Sequence, residues 1–398
     1  MAQPRDVDDV RQLVADAAAA GTPLEVVGRG TKRGFGRPMQ TAASLDLSGL
    51  TGITLYEADE LVMTARAGTP LAEIEQALKD QNQRLAFEPM DMGPLYGAPE
   101  NGASIGGVFA ANLSGPSRLR HGAARDHLLG LKAVNGEGEF FKTGGRVVKN
   151  VTGYDLCKLL TGSHGTLAAM TEVTFKVLPI PEKTRTVLIF GLDDARAREA
   201  MSAALGSPHE VISAAHLPAS VARRSAVAYV AEAGQSVTAI RVEGPAPSAD
   251  HRCKALRDEL APFGATEELH GMNSAKLWRE VRDARPFVGN PRALWRLSVA
   301  PTEGPQAIAR IARTMQAEWF YDWGGGLVWL AVSPSTDAGA ATIRTALGGG
   351  HATLIRADAA VRAAVPVFQP QPAPLAALAR RVKESMDPKG ILTPGRMD

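Results

Sequence analysis

Leu24-Glu25-Val26-Val27-Gly28-Arg29-Gly30-Thr31-Lys32-Arg33-Gly34-Phe35-Gly36 passes from an apolar run into a glycine-rich loop. Leu24, Val26 and Val27 predict a short strand over 24–28. Gly28 and Gly30 then free the backbone to turn, and successive N–H groups in such a turn make a nest for an anion. Arg29, Thr31 and Lys32 add side-chain donors. The spacing is neither GxxxxGK[ST] nor GxGxxG, so the loop is neither a P-loop nor a Rossmann fingerprint. A phosphate cradle and a solvated basic turn both fit these residues.

Upstream, residues 6–20 predict a helix. Val7, Val10, Leu13, Val14 and Ala17 recur at helical spacing, Asp6, Asp8 and Asp9 suit its positive end, and Gly21 stops it. Downstream, 53–59 and 61–68 read as strands. Thr69-Pro70 then predicts a helix start, with Thr69 as N-cap and Leu71, Ile74 and Leu78 on one face. Residues 93–122 are glycine-rich. Within them Gly102-Ala103-Ser104-Ile105-Gly106-Gly107 has the small and apolar residues of close packing, against either a flat ring or a neighbouring strand. Asn112, Ser114 and Gly115 extend it, and Arg125-Asp126 stand at a strand entrance. His121 and His127 are read as hydrogen-bonded structural residues rather than catalysts. Strand 128–134, the turn Asn135-Gly136-Glu137-Gly138 and a second strand predict a hairpin. Val173, Phe175 and Val177 alternate with Thr174 and Lys176 at strand period.

Pro179-Ile180-Pro181 predicts a domain boundary, and the proline-rich stretch 363–374 a second one. The expected division is 1–180, 181–365 and 366–398. Between the boundaries, strands at 186–190, 237–244, 293–301, 326–332 and 351–357 alternate with helices from Asp193, from Asp250, after Pro305 and over 337–347. Two such rounds predict an α+β domain with the air of an internal duplication. Trp295, Trp323 and Trp329 are spaced as core strand residues, and Asp322-Trp323-Gly324-Gly325-Gly326 as a tight turn.

The chain has 398 residues, 45% hydrophobic and 22% charged, which is globular composition. Forty-four Lys and Arg against 42 Asp and Glu leave +2, which argues for neither a nucleic-acid nor a polybasic membrane surface. Two cysteines, Cys157 and Cys253, supply neither a disulfide framework nor the four thiolates of an iron–sulfur cluster or structural zinc site, and no metal site is predicted. No signal peptide or run of about 18 apolar residues is readable, so the expected place is the cytoplasm.

Four phrases carry a resemblance when taken in order: GRGTK at 28–32, SIGG with Asn112, VKNVTGYDLCKLLTGSHGTL at 148–167, and DPKGILTPGR at 387–396. Together they resemble FAD-binding flavoproteins of the vanillyl-alcohol-oxidase (PCMH) type, and LVMTARAGTPLAEIEQAL at 61–78, LWRLSVAP at 294–301 and DWGGGLVWL at 322–330 add a resemblance, among these, to the FAD-binding E subunits of bacterial glycolate oxidases. The resemblance implies an α+β fold: a two-lobed FAD-binding domain plus a smaller α+β cap domain. It implies that Gly28, Arg29, Gly30, Thr31 and Lys32 hold the FAD pyrophosphate. Ser104, Gly106, Gly107 and Asn112 would line the flavin. Arg125, Asp126, Gly162 and Gly165 would complete the cofactor walls, and Thr171, Glu172 and Val173 would edge the nucleotide. Arg396 would bring the tail back to the FAD domain. Two departures stand out: Thr393 replaces the usual Asn of the tail, and the GEHG-type metal and base motif of oxidising relatives is missing, His351 being the nearest residue.

The implied activity is oxidation of a small 2-hydroxy acid, glycolate to glyoxylate, with electrons passed to a partner. The chain would be an FAD-containing subunit beside a catalytic flavin subunit and an iron–sulfur subunit, through which any membrane association would come. A structural subunit without turnover and a free-standing D-2-hydroxy-acid dehydrogenase are the alternatives. FAD is expected to be non-covalent, since residues 26–38 hold neither His nor Cys. No catalytic residue is named; Arg285, Arg292 and Arg296 are candidate carboxylate cations or ordinary surface residues.

Overall fold

Asp6 opens the first helix, Val7–Ala20, by accepting from the N–H groups of Asp8 and Asp9, and Gly21 closes it in the left-handed region. The computed structural model describes residues 2–147 and 153–397, so Val148, Lys149, Asn150, Val151 and Thr152 of the third phrase lie outside the described residues. The chain divides into two units. Met1–Ser114, Gly122–Ile180 and Pro370–Asp398 form the first; Gly115–His121 and Pro181–Gln369 form the second.

In the first unit a five-stranded antiparallel sheet runs Ile53–Glu57, Val62–Arg66, Ala168–Lys176, Leu128–Asn135, Phe140–Gly144. Helix Leu71–Asp80 buries Leu71, Ile74 and Leu78 in a core shared with Met63, Phe87, Phe109 and Phe175. Its N-cap is Pro70 rather than Thr69. The Thr69 hydroxyl donates to the Arg66 carbonyl at 2.6 Å, so it is spent on the preceding turn. A separate parallel pair joins Leu24–Val27 to Ala43–Asp46.

The tail completes this pair. Leu24 N–H donates to Ile391 O, and Thr393 N–H to Leu24 O, each at 2.8 Å. Asp387 organises the tail from a buried position: its carboxylate accepts from the N–H groups of Ile391 at 3.1 Å and Leu392 at 2.8 Å, and from the Lys383 ammonium.

The second unit is built on one eight-stranded antiparallel sheet. Its order is Thr266–His270, Lys183–Phe190, Val237–Gly244, Ser213–Leu217, Ala317–Asp322, Leu327–Val332, Ala293–Ser298, His351–Arg356. Each half is a βαββαβ unit, and each has its fourth, first, third and second strands in spatial order, the two second strands meeting at the centre. The duplication is thus one of architecture. Three strands were not anticipated: Ser213–Leu217, Thr266–His270 and Ala317–Asp322. The helix expected from Asp250 begins earlier, at Ala246, because Pro245 fixes the chain's entry. Trp295 and Trp329 are core strand residues, whereas Trp323 belongs to the turn. Among the described residues no helix is long and apolar enough to cross a membrane, and no group of His, Cys, Asp or Glu converges as metal ligands do.

Two stability measurements test the tail. Asp387→Ala leaves two buried N–H groups without their acceptor and Lys383 without its counter-charge, and an expected loss of about 3 kcal/mol is read from urea unfolding. Thr393 has a φ of +46°, costly for a β-branched residue. Thr393→Asn tolerates that backbone and keeps a donor, so it is expected to raise stability by about 1 kcal/mol in the same assay.

Candidate functional site

Strand Leu24–Val27 delivers the glycine loop into a cleft of the first unit, lined by Gly28 to Arg33, Ser104, Gly107, His164 and Arg396. The glycines make its space. A Cβ on Gly28 would sit 2.4 Å from Ser104 Oγ, and one on Gly107 3.2 Å from the same atom. Ser104 is the N-cap of helix Ile105–Ala111, its Oγ accepting from Gly107 N–H at 3.4 Å. Gly106 serves packing instead: its N–H donates to Ala67 O at 2.9 Å, and a Cβ there would lie 2.6 Å from Ala67 Cβ. Gly30, at φ +76°, sits in the left-handed region within the turn closed by Arg33 N–H to Gly30 O.

The cleft carries surplus positive charge. Burial pushes the Lys32 ammonium down to about 8, with Asp91 opposing the shift. Glu25 also lines the cleft, but Arg33 holds it through two hydrogen bonds, at 3.0 and 2.8 Å. Arg396 donates through Nη2 to Lys32 O at 2.7 Å, tying the tail to the loop backbone. A Cβ on Gly36 would lie 2.8 Å from Arg396 Cδ, so the loop is shaped around this side chain. Arg29 braces the neighbouring segment, donating to Gly102 O at 3.1 Å.

His164 was not singled out from the sequence, although it stands between Gly162 and Gly165. Its ring packs edge-on to Phe35 at 5.0 Å. Burial, then the charges of Arg396 and Lys32, push its imidazole down to about 3, so it is neutral near pH 7. The one sequence signal is its place in a glycine-flanked loop, where the structure gives it a φ of +51°.

The remaining expected residues fall into two groups. Asn112, left-handed at the end of helix Ile105–Ala111, accepts from Arg125 N–H at 3.2 Å, and a Cβ on Gly162 would lie 3.2 Å from Asn112 Cβ. Asp126 accepts from Ala123 N–H at 2.8 Å, and Gly165 O accepts from the Thr393 hydroxyl at 2.9 Å. None of Asn112, Arg125, Asp126, Gly162, Gly165, Glu172 and Val173 is among the residues that line the cleft. Glu172 pairs with Lys132 at 2.8 Å, and Val173 is fully buried in the core. His127 is also fully buried, 3.3 Å from Lys176 O and tilted against Phe87, in keeping with a structural residue.

A glycine-lined cleft with Lys32 facing it and no unpaired carboxylate fits a diphosphate. The comparisons agree in kind. Residues 1–144 match the FAD binding domain family. Over 98% of this chain and 96% of its relative, the sequence is 35% identical to glycolate oxidase subunit GlcE of Escherichia coli (strain K12). It is 28% identical to glycolate oxidase subunit GlcD of Bacillus subtilis (strain 168), over 55% of this chain and 43% of that protein. A D-lactate dehydrogenase of Archaeoglobus fulgidus (strain ATCC 49558 / DSM 4304 / JCM 9628 / NBRC 100126 / VC-16) is 30% identical over 44% of this chain and 38% of its own length. In fold alone, p-cresol methylhydroxylase with substrate bound is similar at a TM-score of 0.71 and 14% identity, over 99% of this chain and 88% of that one. The α+β, vanillyl-alcohol-oxidase type architecture expected from the motifs is the one observed, and the chain belongs to the family of glycolate oxidase subunit GlcE, among the FAD-linked oxidoreductases.

Proposed function

We propose that this chain is the FAD-holding subunit of a glycolate oxidase complex, taking part in oxidation of glycolate to glyoxylate and passing electrons to a partner subunit. The observation that carries the reading is the cationic glycine cleft of the first unit, in a chain 35% identical to GlcE over 98% of its length. In this reading Gly28, Arg29, Gly30, Thr31 and Lys32 hold the pyrophosphate, and Arg396 fixes the backbone of that loop. Ser104, Gly106, Gly107 and Asn112 shape the flavin side, with Arg125, Asp126, Gly162 and Gly165 as walls. Glu172 and Val173 contribute at most through backbone, given where their side chains lie. Bound FAD supplies the acceptor for the two electrons leaving the alcohol carbon.

The placement of the nucleophiles supports non-covalent attachment. Burial pushes the thiols of Cys157 and Cys253 up to about 11 and about 12, and neither lines the cleft. His164 stands at the loop with Lys32 and Arg396. Two cysteines build no iron–sulfur relay, so an iron–sulfur subunit provides the electron exit and a catalytic flavin subunit stands beside it. The missing GEHG motif favours a relay or scaffolding part over independent turnover; His351 is exposed on an edge strand. Purifying the chain alone and with its neighbours, then following flavin colour and glycolate-dependent dye reduction, tests this. A yellow lone chain without turnover, active in the complex, is expected. A colourless chain supports the structural reading, and full activity alone supports an independent dehydrogenase.

Gly28→Val drives a side chain into Ser104 and is expected to cut bound FAD at least tenfold with the helical circular dichroism retained, whereas His127→Gln keeps the flavin. Acid precipitation should release all flavin into the supernatant. Affinity should also depend on pH. A bound diphosphate raises the Lys32 pKa from about 8. Binding is therefore full below that value and weakens about tenfold per unit above it, until the raised pKa is passed. Fluorescence titration of FAD between pH 7 and 9 reads this, and Lys32→Gln should flatten it.

A further inference from the structure

Arg296 carries unmet chemistry in the second unit. It projects half-buried from strand Ala293–Ser298, and its guanidinium lies 4.8 Å from the Trp323 ring centroid. Its side chain makes no hydrogen bond or ion pair with any described residue. A guanidinium has five N–H donors and cannot shed its charge near neutral pH, so an acceptor is wanting. Arg292, nearby in sequence, is already taken by Glu318 at 3.2 Å. Burial, then the charge of Arg118, lower the Arg296 pKa to about 10, while Asp322 opposes them.

The surroundings are built rather than loose. Arg118, from the segment Gly115–His121, lies 4.3 Å from the same indole centroid. Trp323 is fixed at two atoms: its Nε1 donates to Gly115 O at 3.1 Å and its backbone N–H to Asp322 Oδ1 at 2.7 Å. Its φ of +51° places a bulky residue in the left-handed region, a strain that the fixed ring position accounts for. Two guanidiniums thus share one immobilised indole, with the buried Asp322 carboxylate beside them.

We propose that Arg296 and Arg118, held on Trp323, form a binding site for the carboxylate of a small 2-hydroxy acid. Two guanidiniums and one carboxylate leave a single net positive charge, which matches a monoanion and leaves a phosphate dianion uncompensated. The planar fork of Arg296 presents paired donors to a planar carboxylate. The identity of the acid rests on the oxidase reading given above. The site itself lies wholly in the second unit and is tested by binding rather than turnover.

The test uses the purified full-length chain with whatever flavin it carries, followed by tryptophan fluorescence at pH 8, where inorganic phosphate is mainly the dianion, during titration with glycolate, glycolamide and inorganic phosphate. Saturable binding of glycolate is expected, with glycolamide and phosphate at least tenfold weaker. Arg296→Gln should weaken glycolate at least tenfold, Arg118→Gln at least threefold, and Arg296→Lys less than Arg296→Gln. Flavin content and melting temperature should stay at wild-type values, as in the remote control Arg310→Gln. Glycolate binding to Arg296→Gln within twofold of wild type would overturn the site. So would equal binding of glycolamide or phosphate, or no saturation by glycolate at all. A wild-type chain that lacks flavin yet binds glycolate through Arg296 would sink the cofactor reading and keep this one.

Discussion

The Arg396 guanidinium, donating to the carbonyl of Lys32, is the contact on which the first unit's cleft depends. A glycine loop is conformationally permissive, and permissiveness costs entropy unless something chooses one arrangement. The tail makes that choice. It pairs with Leu24 ahead of the loop, grips the loop backbone through Arg396, and binds Gly165 through Thr393 on the facing segment. The strand-and-loop segment and the Gly165 segment, distant from each other in sequence, are thereby both held by ten residues of tail. The same guanidinium also adds positive charge beside His164, which helps keep that imidazole neutral.

The second unit meets a different constraint, joining two βαββαβ halves through their second strands. Ser213–Leu217 and Ala317–Asp322 share only the His216–Tyr321 pairing, so the backbone ladder at the seam is thin. Side chains reinforce it. Asp194 accepts from Tyr321 Oη at 2.7 Å and from Trp319 Nε1 at 2.8 Å, and lies 3.4 Å from His216 Nε2. His216 in turn reaches Thr238 Oγ1 at 2.9 Å. Buried polar networks of this kind rigidify when every member is satisfied. The strand they fix ends at Asp322, and the turn that follows it carries Trp323. A rigid seam is therefore also the platform for the two arginines on that indole.

What could be read from the sequence divides along physical lines. Helix Val7–Ala20 and strand Ala168–Lys176 were legible because amphipathic period and caps are local signals. Ser213–Leu217 was not. Ser-Ala-Ala-His-Leu has weak strand propensity, and burial of all five residues comes from the sheet around them. Thr69 misled as a cap because its hydroxyl had a nearer acceptor, which only the turn reveals. In the cleft, Gly28, Lys32 and Ser104 were legible as glycine-loop chemistry, and Arg396 through the family resemblance. His164 was hidden because its character comes first from burial and then from the charges of Arg396 and Lys32, none of which is local in sequence. Gly115–His121 was assigned to the first domain by chain order, yet it clusters with the second unit, where Gly115 and Arg118 meet Trp323.

A net charge of +2 says almost nothing about where this protein's charge acts. Many cations are answered by carboxylates, as Arg33 is by Glu25 and Arg292 by Glu318. Such pairs contribute little to stability and present little field. Lys32 and Arg296 differ from them. Each is partly withdrawn from water and makes no ion pair among the described residues. Desolvation without a partner is costly in the ligand-free chain, and it persists where a ligand anion recovers the cost. The two residues stand in different units, one among glycines that admit a diphosphate and one on an indole beside Arg118. In the reading proposed above, Lys32 answers the anion of the cofactor and Arg296 the anion of the substrate, each in its own unit.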